Sequence, residues 1–285
     1  MQQDARDRYL RDSTPLEVLI VSIRVVSSFL VVAAAASLAS AGDLVISWSG
    51  ASGVLPTERC WDHVNPRNAP PLALVDGSMV LGQTTNGGNC YLKHAFPPIS
   101  FDDGAAIEAS IKVDNSTWYA VSPFKRAGIS LGMTDATGRW ARLMIANDRL
   151  LLHTADQNWS DLTYLVNTTG AFHTYRIVYL GSTATVYMDG VQVLTDSVGT
   201  GAAAKNLAYL GDMTGLALSK TRTAYVQVEG VPVCSVADID CSGTVDGVDL
   251  GLLIGSWGTA LCEADLNEDG IVNGLDLAIM LGLWG

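Results

Sequence analysis

Apolar and polar residues alternate with a period of two along most of the chain. In AAIEASIKV, Ile107, Ala109, Ile111 and Val113 alternate with Glu108, Ser110 and Lys112, the pattern of a half-buried strand. FHTYRIVYLG sets Tyr175, Ile177 and Tyr179 on one face and assigns His173 and Arg176 to the other. ATVYMDGVQVL reads as two strands joined at Asp189-Gly190, a pair that tolerates the positive φ of a tight hairpin. VISW, SMVLGQ, NCYLKHA, AGISLGM, RWARLMIA, RLLLHT, LAYLGD and TAYVQVE follow the same rule. About a dozen short strands with no competing amphipathic helix predict an antiparallel sandwich.

The period changes near the C-terminus, where Leu250, Leu253, Ile254 and Trp257 fall at i, i+3, i+4 and i+7. Leu277, Met280, Leu281 and Trp284 repeat that spacing, so two short helices are expected to pack stripe against stripe. The repetition is wider than the helices. DIDCSGTVDGVDLGLLIGSWG matches DLNEDGIVNGLDLAIMLGLWG without a gap, 27 residues later. Oxygen-bearing side chains fall at positions 1, 3, 5, 9 and 12 of each copy, with glycine at 6. These are Asp238, Asp240, Ser242, Asp246 and Asp249 around Gly243, then Asp265, Asn267, Asp269, Asn273 and Asp276 around Gly270. Thr244 and Ile271, at position 7, offer backbone carbonyls. Calcium takes six to eight hard oxygen ligands, and this is the spacing of an EF-hand loop. Val245 and Val272, at position 8, are expected to pair the two loops with each other. The seven carboxylates at these loop positions repel one another without metal, so the tail is expected to fold on binding two calcium ions.

Charge sharpens the division. The net charge is −12, which argues against nucleic acid and anionic lipid as partners. From Val231 to the end there are nine acids and no Lys or Arg, so most of the acidity belongs to the tail. At the other end, VVSSFLVVAAAASLASA follows Arg24 and closes on Ala39-Ser40-Ala41, an export-signal pattern. Residues 1–41 are therefore expected to be removed, leaving no membrane span. Five cysteines suit an exported protein, and Cys60–Cys90 is a plausible bridge, although sequence does not fix the pairing.

Candidate chemistry in the middle of the chain is sparse. Retaining glycoside hydrolysis needs two closely spaced carboxylates, and no strand shows an alternating acidic run. The four histidines have no zinc-like spacing. Trp140 in GRWARLMIA and Trp159 in DQNWSD are the residues expected to stack on sugar rings.

Two family resemblances rest on these segments. FHTYRIVYLGSTATVYMDGVQV, followed by LAYLGD and TAYVQVEG, resembles the closing strands of a concanavalin A-like jelly roll of the laminin-G type. The duplicated loop, with aspartate at position 12, a D-L pair and no helix before it, resembles a type I dockerin. That resemblance implies docking on a cohesin-like receptor or cell-surface scaffold, with polysaccharide as the setting. Positions 10 and 11 depart from the family, being Gly247-Val248 and Gly274-Leu275, where hydroxyls commonly recognise the partner.

The expectation is a mainly β protein: signal 1–41, jelly roll 42–230, linker 231–235 and a small α-helical dockerin-like module 236–285. Its expected role is that of a secreted, non-catalytic carbohydrate-binding module tethered through calcium. A polysaccharide-degrading enzyme (glycoside hydrolase or lyase) and an adhesion protein with a calcium-stabilised cap are the alternatives.

Overall fold

The computed structural model describes residues 43–64, 70–83, 89–121, 124–154, 162–213 and 219–285, and the expected signal lies outside them. The described residues belong to one compact unit. Two antiparallel sheets form a jelly-roll sandwich. The first runs β15 (Val191–Ser197), β14 (Thr183–Met188), β13 (Phe172–Leu180), β6 (Ala105–Ser116), β17 (Ser219–Gly230), β4 (Ser78–Gln83) and β3 (Ala73–Val75), with β1 (Asp43–Ser49) also paired to β17. The second runs β12 (Thr163–Leu165), β11 (Arg149–His153), β10 (Trp140–Ile145), β9 (Ile129–Thr134), β16 (Leu207–Asp212), β5 (Cys90–Ala95) and β2 (Asp62–Val64). A separate ribbon joins β7 (Trp118–Val121) to β8 (Phe124–Ala127).

Alternation is what makes the core. Ile107, Ala109, Ile111 and Val113 of β6, with Tyr175, Ile177 and Tyr179 of β13, meet Leu131, Met133, Ala141 and Leu143 of the opposite sheet. Tyr179 ties the layers together: its hydroxyl donates to the Ala141 carbonyl at 2.8 Å and accepts from the Met133 N–H at 3.2 Å. The parity of β17 does not hold along its length. Thr221 and Thr223 are buried on odd positions, Val226 and Val228 on even ones, because the register shifts between Thr223 and Tyr225. A bulge inserts one residue and exchanges the faces. Asp189-Gly190 turns the β14–β15 hairpin with φ of 51° and 78°, and Asp76-Gly77 does the same between β3 and β4.

His173 lies on the Tyr175 face rather than beside Arg176, because residues two apart share a side of a strand. It sits at the start of β13 with Nδ1 2.7 Å from Asp189 Oδ2.

The tail builds a second, small core from Ala237, Val245, Leu253, Ala264, Val272 and Met280. Its helices are α1 (Gly247–Gly255) and α2 (Gly274–Gly282). Only one edge of each expected stripe is buried. Leu253 and Met280 are fully covered, whereas Ile254, Trp257, Leu281 and Trp284 are 46–56 % exposed. Two nine-residue helices are too short to cover both edges of each other. The loops also pair differently from the expectation: the Val272 carbonyl accepts from Gly258 at 2.8 Å, and the Val245 carbonyl from Gly285 at 3.3 Å. Each loop thus pairs with the exit of the other copy's helix, which keeps the 27-residue symmetry.

Candidate functional site: twin acidic loops and the sandwich faces

Each loop folds around two buried aspartates held by backbone N–H groups. Asp238 accepts from Ser242 and Gly243, both at 2.9 Å, and Asp249 from Asp240 at 3.2 Å and Asp246 at 2.9 Å. In the second copy Asp265 accepts from Asp269 at 3.1 Å and Gly270 at 2.8 Å, and Asp276 from Asn267 at 3.2 Å and Asn273 at 2.7 Å. Gly243 and Gly270 take φ of 100° and 94°, which supplies the sharp bend at position 6. Asp246 and Asn273 cap α1 and α2 through the N–H groups of Val248 and Leu275.

All twelve sequence-predicted loop residues are therefore gathered in two equivalent loops. Asp238, Asp249, Asp265 and Asp276 are at most 3 % exposed. Carboxylate oxygens of Asp238, Asp240 and Asp249 lie within 4.8 Å of one another. The position-7 carbonyls turn inward as well: Thr244 accepts from the Ser242 hydroxyl at 3.3 Å and Ile271 from the Asn273 amide at 2.9 Å. Burial, with the charges of Asp276 and Asp269, raises the Asp265 pKa against its backbone donors. Buried carboxylates face one another with no basic residue in the tail to offset them, and every inward group except the amide nitrogens is a hard oxygen donor. The arrangement fits a calcium-sized cation.

The cysteines pair across the molecule. Cys60 bonds to Cys262 and Cys234 to Cys241, while Cys90 is free. The expected Cys60–Cys90 bridge is not formed, because Cys90 points into the sandwich core from β5 while Cys60 follows a surface turn that faces the tail. Cys90 Sγ lies 3.6 Å from His63 Nε2, and burial pushes its thiol up to about 11. A cavity of about 490 Å³ separates sandwich and tail, walled by Val45, Phe96, Pro98 and Leu261, with His94 and Glu268 at its polar positions. Burial brings His94 down to about 4.

On the sandwich, Trp140 is only 2 % exposed and offers no ring face to a sugar. Its ring lies beneath Arg142, 4.9 Å from the guanidinium carbon, with His153 edge-on at 4.9 Å. Trp159 lies outside the described residues. Register brings together a row the sequence did not reveal: His153, Arg142, Gly132, Tyr209, Lys93 and Asp62 stand side by side across the outer face of the second sheet. Gly132 leaves room for Arg142 to reach 5.4 Å from the Tyr209 ring centre. The row runs from buried His153 to a Lys93–Asp62 ion pair at the exposed end.

The outer face of the first sheet holds a second cluster. Arg176 bonds Glu229 at 2.6 and 2.8 Å and Glu108 at 3.4 Å, and Tyr225 donates to Glu108 at 2.8 Å. Both carboxylates spend oxygens on one guanidinium, the arrangement of an ion-pair network rather than of a free acid and nucleophile.

Fold and loops together define a two-sheet jelly-roll sandwich closed by a duplicated acidic loop–helix unit. No protein-family model matches the chain, and no curated protein matches it. Among solved structures it is similar to a carbohydrate esterase from Shiga toxin-encoding bacteriophage phi24B, at 13 % identity over 67 % of this chain and 99 % of that one, TM-score 0.48. It is similar to an endo-beta-1,3-glucanase from Pyrococcus furiosus, at 12 % identity over 66 % and 94 %, TM-score 0.42. It is also similar to an alginate lyase of polysaccharide lyase family 7, at 13 % identity over 61 % and 98 %, TM-score 0.42.

Proposed function

We propose that the chain is an exported β-sandwich that engages polysaccharide and carries a calcium-dependent attachment module at its C-terminus. The observation that carries the calcium part is the set of four buried aspartates, two per loop, each cradled by N–H donors and turned toward other inward oxygens. Asp238, Asp240, Ser242, Asp246, Asp249 and the Thr244 carbonyl would hold the first ion. Asp265, Asn267, Asp269, Asn273, Asp276 and the Ile271 carbonyl would hold the second, with the asparagine amides turned so that oxygen faces the metal. Attachment is supported by the uncovered stripe of Val248, Ile254 and Trp257 with its repeat Leu275, Leu281 and Trp284, all 46–60 % exposed and without a charge among them. A cohesin-like receptor is the partner this reading implies, and two disulfides suit an extracellular setting. Polysaccharide is supported by Arg142 and Lys93 in the row across the second sheet, since cations hold the acidic substituents of sugars, while Tyr209, 6 % exposed beneath Arg142, orients the guanidinium rather than stacking on a ring.

A second reading, polysaccharide cleavage, is favoured by the placement of His153, Arg142 and Tyr209 in one register row. A histidine or tyrosine that moves a proton beside an arginine that stabilises charge is the equipment of β-elimination. Titration calorimetry tests the module: two calcium ions in the wild type and one in Asp265→Ala/Asp276→Ala are expected, and unchanged stoichiometry overturns the assignment. Incubation with neutral and uronate polysaccharides separates the sandwich readings. Retention without products supports binding, unsaturated ends support elimination, and the absence of both retention and products overturns the polysaccharide proposal.

A further inference from the structure

The tail meets the sandwich at the second loop, and both fastenings come from one short turn. The 3-10 turn Pro56–Glu58 leads directly into Arg59 and Cys60. The Arg59 guanidinium donates to the Glu268 carbonyl, and Cys60 is bonded to Cys262, three residues before Asp265. A Cβ on Gly270 would lie 3.6 Å from the Glu58 carbonyl, so the turn runs along the loop. Glu268 is loop position 4, at φ 55°; its counterpart Cys241, at φ 53°, is bonded instead to Cys234 inside the tail. Two loops of one geometry thus have different anchors, the first within the module and the second on the sandwich.

From this turn the chain passes straight into sandwich structure. Trp61 is 2 % exposed and packs edge-on against His94 at 5.2 Å, and the next residues form β2, which pairs with β5.

We infer that the second loop is a calcium-controlled buttress of the sandwich. Occupancy fixes the Glu268 carbonyl and Cys262, and these restrain the 56–60 turn and, through Trp61, the β2–β5 edge. In the metal-free loop the repelling acids leave that carbonyl without a fixed position, and the edge opens more often. The first loop stabilises the module itself. This inference rests on the calcium reading of the loops given above, and it makes the module an integral part of the sandwich rather than a freely hinged appendage.

Hydrogen–deuterium exchange on the full chain, with calcium chloride or chelator, tests it alongside calorimetry. At calcium about 100 times Kd, exchange in Asp62–Val64 and Cys90–Ala95 is expected to slow by up to about 100-fold in the wild type. In Arg59→Ala/Cys60→Ser/Cys262→Ser, two ions still bind but that protection falls to less than about twofold, while Gly247–Gly255 stays protected. Two bound ions with no change at the β2–β5 edge of the wild type overturn the buttress, as does full protection in the released variant. Absence of calcium binding overturns the underlying reading instead. Should the triple variant fail to fold, Asp265→Ala decides the matter: one ion remains, and the edge must lose its calcium-dependent protection while α1 keeps it.

Discussion

Replacing Asp265 with asparagine separates a cation ligand from a simple turn-forming residue. The side chain is 2 % exposed and accepts from Asp269 at 3.1 Å and Gly270 at 2.8 Å. Asparagine keeps one acceptor oxygen and turns an NH2 toward the other donor, which costs about 1–2 kcal/mol. The substitution also removes the repulsion from buried Asp276. At a separation of about 5 Å, close to the spacing of the first loop's oxygens, and an effective dielectric constant of about 20, that repulsion is ~3.3 kcal/mol. In chelator Asp265→Asn is therefore expected to be neutral or to stabilise α2 by about 1–2 kcal/mol. With calcium at about 100 times Kd the sign reverses, because the wild type gains ~2.7 kcal/mol from the second ion and the variant does not. Amide exchange of Gly274–Gly282, read as an opening free energy in both buffers, measures the two values directly. An equal loss in chelator and in calcium would show that Asp265 only shapes the turn, and the cation reasoning would fail.

Three further outcomes are expected. Cys90, 1 % exposed with its thiol pushed up to about 11, should resist iodoacetamide in the native protein and be the single cysteine alkylated after unreduced denaturation; rapid native labelling or two labelled sites would contradict the pairing. Asp135 is buried, and the desolvation that raises its pKa is outweighed by donors from Arg139, Thr137 and Phe101, so its folded value lies below the unfolded one. Its contribution is present above about pH 4 and is lost as pH falls through the folded value, so melting at descending pH should show a steeper acid loss in wild type than in Asp135→Asn; parallel curves would refute this. Gly199→Ala should destabilise by about 1–3 kcal/mol in urea titration, because the added methyl meets the Thr154 carbonyl and lies 2.8 Å from the Trp140 ring; a change below about 0.5 kcal/mol would show that the loop yields.

Local sequence was enough to place the strands and the two loops. Strand alternation in β6 and β13, the Asp189-Gly190 turn and the 27-residue repeat depend on neighbours within a few residues, and local sterics and periodicity decide such features. The two acidic turns were legible for the same reason, since the residues that shape each of them lie in one continuous stretch. Other features depend on residues far apart in the chain. Cys60 finds Cys262 across 202 residues, and that partner follows from how the tail seats on the sandwich, not from spacing. Trp140, read as a binding residue, is covered by the Gly199 segment, and neither its type nor its neighbours announce that. The His153–Arg142–Tyr209 row exists because strand register lines up three separate segments, and a one-residue slip would turn each side chain to the other face. The bulge in β17 makes the point within a single strand, because pairing with β6 decided where its alternation changes parity.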